Sequence, residues 1–84
     1  MASPSKALTR ILGGLSDANI RFDDLCSLLG ALGFTTRSRG SHHIFSAVGI
    51  EELITLQRDA DKAKPYQVRQ VRRVIVRYNL RLKG

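Results

Sequence analysis

The chain has 84 residues, 43% of them apolar, and its 14 lysines and arginines against seven aspartates and glutamates give a formal net charge of +7. A chain this short holds one domain with one modest core, burying about 60–65% of the surface it exposes when unfolded, so a second domain is excluded. No apolar run approaches the roughly 20 residues of a membrane span, no signal-peptide pattern opens the chain, and the lone Cys26 excludes an internal disulfide. These features predict a single cytoplasmic domain over 1–84.

Ser3-Pro4 marks a helix start, with the hydroxyl as cap and proline at the first helical position. Leu8, Ile11, Leu12 and Leu15 follow at helical spacing, and Gly13-Gly14 stop the helix. This segment lies within residues 1–20. A second helix is predicted from Phe22 to Leu32. Asp23 and Asp24 lie in its favourable first turn, Phe22, Leu25, Leu28, Leu29 and Leu32 form its apolar face, and Gly33 is its left-handed cap.

From 34 to 58 the period changes from helical to alternating, predicting strands over Phe34–Arg39, His42–Val48 and Glu52–Gln57 with turns at Gly40-Ser41 and Gly49. Residues 58–64 read as a polar loop. Pro65 opens a last helix with Val68, Val71, Ile75 and Tyr78 as its apolar stripe. Asn79 stands at the closing left-handed position and Leu80 folds back as its hydrophobic contact. The fold class is α+β: a helix, three antiparallel strands and a helix, preceded by an extra N-terminal helix. With one sheet and two flanking helices, both helices cover one sheet face and leave the other open.

The alternation separates the only two histidines, which stand side by side in the sequence GSHHIF. Phe45 belongs to the core, as do Phe34, Ile54 and Leu56, so His43 shares the covered face and His42 points out. The open face then carries Thr35, Arg37, Arg39, His42, Ile44, Ser46, Thr55 and Gln57. Two divergent imidazoles make no chelate, and no cluster of cysteines or carboxylates supplies ligands at metal-site spacing, so neither metal nor cofactor is expected. Arginines beside a histidine suit phosphate binding and proton transfer. His43, at the rim of the core side, reads as structural, and Cys26 as a buried small hydrophobe.

Charge is uneven along the chain. Residues 1–61 hold six cationic and seven anionic side chains, whereas 62–84 hold Lys62, Lys64, Arg69, Arg72, Arg73, Arg77, Arg81 and Lys83 without an acid. Such a block attracts a polyanion by counterion release, which makes nucleic acid the first candidate partner and an acidic protein the second. Lys62, Lys64, Arg69, Arg72 and Arg73 are the candidate phosphate binders of this block, beside Arg37 and Arg39 on the sheet.

The segment GSHHIF, preceded by a helix ending LLGALGF and followed by the strand ITLQR and a Lys-Pro helix start, resembles the HicA family of bacterial toxins over about residues 22–80. The resemblance implies a double-stranded-RNA-binding-like α-β-β-β-α fold and the toxin of a type II toxin-antitoxin system, and it sets residues 1–20 apart as an N-terminal helical extension to a core spanning 22–80. It also implies a histidine-dependent messenger-RNA endoribonuclease whose catalytic histidine falls on His42, with mRNA and a neutralising HicB-type antitoxin as partners. No DNA binding by the chain alone and no membrane contact are expected. The sequence departs from the common family pattern after the third strand, where Gln57 and Asp59 stand in place of proline and histidine, and in its N-terminal helix. A second reading keeps the fold and charge as a noncatalytic RNA-binding or antitoxin-binding domain.

Overall fold

The computed structural model describes residues 3–58 and 60–82; Asp59 and Lys83, both named above, lie outside the described residues. The element order is α1 (Pro4–Gly13), a single 3₁₀ turn (Asp17–Asn19), α2 (Phe22–Ala31), β1 (Thr35–Arg39), β2 (His42–Ala47), β3 (Ile50–Gln57) and α3 (Pro65–Arg77). This is the expected α+β arrangement, α-β-β-β-α behind one additional helix.

Local chemistry sets the helix ends. Ser3 Oγ accepts the Lys6 backbone N–H at 3.3 Å, with Pro4 next to it at the first helical position. Two helices end in Schellman closures. At α2 the N–H of Phe34 reaches the carbonyl of Leu29 at 3.0 Å, with Gly33 at φ 103°, a conformation that a side chain would strain. At α3 the N–H of Leu80 reaches the carbonyl of Ile75 at 3.0 Å, with Asn79 at φ 51°. Because Phe34 is the buried hydrophobic contact of the first closure, β1 starts at Thr35, one residue later than alternation predicts.

The strands form an antiparallel meander in the order β1-β2-β3. Gly40, at φ 57°, and Ser41 join the directly opposed Arg39 and His42. The register shifts between Phe45 and Ala47, which lets Ala47 pair with Ile50 and extends β3 two residues beyond its predicted start. Phe45, Ile54 and Leu56 are buried against Leu25, Leu28 and Leu29 of α2 and Val68, Val71, Val74 and Ile75 of α3, all on one sheet face. The opposite face stays open.

The α1 extension packs chiefly on α2 and α3. Ala7 and Ile11 enter the core, whereas Leu12 and Leu15 of the predicted stripe remain exposed. A polar clamp fixes this layer. Arg72 of α3 forms a two-point pair with Asp17, at 2.8 and 3.1 Å, and donates at 3.1 Å to the carbonyl of Ile11 near the C-terminus of α1. A guanidinium there satisfies a helix-end acceptor and opposes the negative end of the helix dipole.

The hydrogen bonds from Arg72 hold the Asp17 carboxyl below its ordinary value of 3.8. A depressed carboxyl contributes stability above its unfolded value and loses that contribution as pH falls through the folded one. Asp17→Asn should therefore melt at a lower temperature than the parent at neutral pH, and the gap should close as acid takes the pH below the ordinary carboxyl value of 3.8 and through the lowered folded one. Thermal melts across that range check this. A gap unchanged in acid would mean that the carboxylate charge is not what holds the clamp.

Candidate functional site

Strand pairing puts His42 in the middle of a row across the open face. Arg39 of β1 lies directly opposite on one side and Gln57 of β3 on the other. Directly opposed residues share a face with Cβ atoms about 4.5–5.5 Å apart, so the imidazole and the Arg39 guanidinium both reach a phosphate lying over this row. The next row is Arg37, Ile44 and Thr55. His42, Arg37 and Arg39 are exposed. Among the described residues, no hydrogen bond ties the His42 ring to the fold and no acid pairs with either arginine.

His43 behaves differently. Its ring meets Phe22 edge-on, with centroids 5.2 Å apart, and its Nδ1 lies 3.4 Å from Ser38 Oγ. Arg58 also lies over the Phe22 ring, its guanidinium 4.6 Å from the centroid, and pairs with Asp23 at 2.6 Å. His43 is thus the lid of a small aromatic cluster on the covered face, as alternation predicts.

The loop after β3 is less free than its polar composition suggests. Lys62 makes an isolated antiparallel bridge with Arg21, while Phe22 donates to the carbonyl of Asp61 at 3.0 Å and Ala63 to that of Ile20 at 2.9 Å. These bonds staple the loop to the start of α2, at the end of the sheet where Gln57 pairs with His42. Lys62 and Lys64 therefore lie at the same end of the molecule as the candidate site. Arg21 joins them there. Sequence reading passed over Arg21 because it is isolated in the chain, and only the bridge brings it opposite Lys62.

The arginines of α3 divide. Arg69 and Arg73 are exposed on the face of α3 turned away from the core, so they do not share the open sheet face with His42. Arg72, expected to bind phosphate, has its guanidinium committed to Asp17 and Ile11, and its position is that of a scaffold residue. Arg77 pairs with Glu52 at 3.2 Å, and the Tyr78 hydroxyl donates to the same carboxylate. That phenol bond, with Arg77, keeps the Glu52 carboxyl below its ordinary range.

Burial pushes the Cys26 thiol up to about 11, which leaves little thiolate near neutrality and no nucleophile there. Among the described residues, no three His, Cys, Asp or Glu side chains gather closely enough to hold a metal ion. Nor is any described helix long and apolar enough to cross a membrane.

A family model described as the HicA toxin of bacterial toxin-antitoxin systems matches residues 22–76, from the start of α2 to the last turn of α3, and so leaves α1 outside. No curated protein and no solved structure matches the chain.

The different settings of the histidines predict different substitution costs. His43→Ala should lose about 0.5–1.5 kcal/mol of folding stability with its aromatic contact, and His42→Ala should stay within about 0.5 kcal/mol of the parent. Urea unfolding of both variants measures the contrast. Equal losses would mean that the two rings are equally structural.

Proposed function

This chain belongs to the HicA family of bacterial toxin-antitoxin toxins, and we propose that it is a metal-independent endoribonuclease that cleaves mRNA in the cytoplasm and is neutralised by a HicB-type antitoxin. One observation carries the reading. His42 has no structural task among the described residues, yet it stands exposed beside Arg39, whereas its neighbour His43 is used for packing.

RNA brings its own nucleophile, so a site has only to bind phosphate, orient it and move protons. The 2′-oxygen attacks the adjacent phosphorus and the 5′-oxygen leaves, giving a 2′,3′-cyclic phosphate and a 5′-hydroxyl. His42 takes the 2′ proton as the new P–O bond forms. Arg39 and Arg37 hold the phosphate and offset the charge that builds on its oxygens. Water supplies the proton for the leaving oxygen, since the rows around His42 contain no second imidazole or carboxyl. One proton-transfer group instead of two makes a slow nuclease, suited to arrest by gradual depletion of message. Lys62 and Lys64, with Arg21, hold the RNA backbone beside the reacting phosphate.

The noncatalytic reading draws its support from the same rows, because no described side chain orients the His42 imidazole as the partner carboxylate does in many acid-base sites. The two readings part on whether the parent chain cuts RNA, and one variant then tests the role of His42. His42→Ala should reduce cleavage about 10²- to 10⁴-fold and relieve growth arrest, with RNA affinity nearly unchanged. Arg39→Ala should weaken both cleavage and binding. Product analysis and binding titrations of the parent and the purified variants test this: a parent chain that binds RNA without cutting it would leave only the binding domain, and wild-type cleavage by His42→Ala would remove His42 from the chemistry.

An antitoxin that acts by occupying the phosphate site must cover the open sheet face and present acidic groups to Arg37 and Arg39. Amide exchange of the complex should accordingly show protection along β1 and β2. Protection confined to the helices, with His42 still accessible, would exclude this mode of neutralisation.

A further inference from the structure

Tyr66 is left unused by the proposed cleavage site and by the core. It is the second residue of α3 and 54% exposed, with its ring outside the apolar cluster. Arg69, Gln70 and Arg73 follow at three, four and seven residues, which puts all four side chains on one helix face. With Arg72 they line a groove of about 480 Å³, and among the described residues no acid lines it.

The groove is also well placed. Gln70 donates to the carbonyl of Leu53 at 3.4 Å, which sets α3 against the outer edge of β3, and only residues 58–64 separate the end of β3 from the start of α3. Tyr66, in the first turn of α3, consequently lies toward the end of β3 where Gln57 pairs with His42. A strand leaving the sheet face past Lys62 and Lys64 meets Tyr66 first, then Arg69 and Arg73, about 6 Å apart along the helix.

We propose that this groove is a second contact surface for single-stranded RNA, in which the Tyr66 ring stacks on an unpaired base and Arg69 and Arg73 hold the neighbouring phosphates. The inference rests on the ribonuclease reading above and adds to it how the substrate is held beyond the scissile bond. An exposed aromatic flanked by guanidinium groups is the combination that single-stranded nucleic acid uses, because every base offers a stacking face and every linkage a charge. An acidic protein segment would need the arginines but gain little from the ring. Stacking without contacts to base edges grips message with little sequence preference.

The experiment uses the full chain carrying His42→Ala, so that RNA is bound and not cut, and two probes: a short unstructured oligoribonucleotide and an abasic ribose-phosphate oligomer of the same length. Adding Tyr66→Ala should weaken binding of the first probe about 5- to 150-fold and leave binding of the abasic probe unchanged. Tyr66→Phe should keep the affinity. Arg69→Ala and Arg73→Ala should each reduce the slope of log affinity against log salt by about one, whereas Tyr66→Ala leaves that slope alone. In protein retaining His42, Tyr66→Ala should raise KM and spare kcat. Parental affinity in Tyr66→Ala, or an equal loss on both probes, overturns the groove while leaving the ribonuclease reading in place. Failure of the His42→Ala parent to bind either probe overturns both.

Discussion

The burial of Phe45 between the sheet and the two helices is the constraint from which the site follows. Phe45 is the central core residue of β2, pairs with Ile54 of β3, and lies against α2 and α3 in the buried cluster. Removing such a ring from a core costs about 3–5 kcal/mol, a large share of the stability of a domain this small. A slip of one residue in β2 would expose Phe45 and turn His42 inward, exchanging the roles of the two histidines. The turn fixes the same register from the other end, since Gly40-Ser41 permits the two-residue connection that sets Arg39 opposite His42. Core and turn thus agree on which imidazole meets solvent.

Elements governed by local chemistry were legible in the sequence. The left-handed closures at Gly33 and Asn79, the proline starts of α1 and α3 and the alternation of β2 all depend on residues within a few positions of one another. Phe34 shows where that reading fails by one position, because an apolar residue before a strand serves equally well as the contact that closes the preceding helix. The face of His42 could also be read, being a matter of parity. Arg72 could not, since its partner Asp17 lies 55 residues away in the chain. Charge in a sequence says how many cations there are, and only the fold says which of them already have a partner.

That distinction reorganises the basic character of the protein. Arg72, Arg77 and Arg58 are paired with Asp17, Glu52 and Asp23, so three of the seven acids neutralise cations that hold the fold together. Among the described residues, Arg37 and Arg39 on the sheet, Arg21, Lys62 and Lys64 at its end, and Arg69 and Arg73 on α3 have no acidic partner. The uncompensated charge is therefore not a property of the last helix alone, as a count along the chain suggests. Lys6, Arg10 and Arg81 stand apart, likewise without an acidic partner among the described residues, and the rest runs from the open sheet face around one end of the molecule, a path suited to a flexible polyanion and poorly matched to a straight duplex.

The additional helix gains its significance from the same pairing. α1 lies outside the matched family segment, yet it buries Ile11 and Ala7 against α2 and α3 and draws the Arg72 guanidinium onto the end of its own last turn. Arg72 lies on the flank of α3 between its buried stripe and its exposed face. Fixing that flank fixes the rotation of the helix about its axis, and so the direction in which Arg69, Arg73 and Tyr66 project. A helix held only by Val68, Val71 and Ile75 would share one apolar face with the sheet and retain some freedom to roll. A two-point ion pair has a defined geometry and removes it. The extension thus acts as a brace for the surface on which RNA is proposed to lie, and a rigid support lowers the ordering cost of each contact made on it.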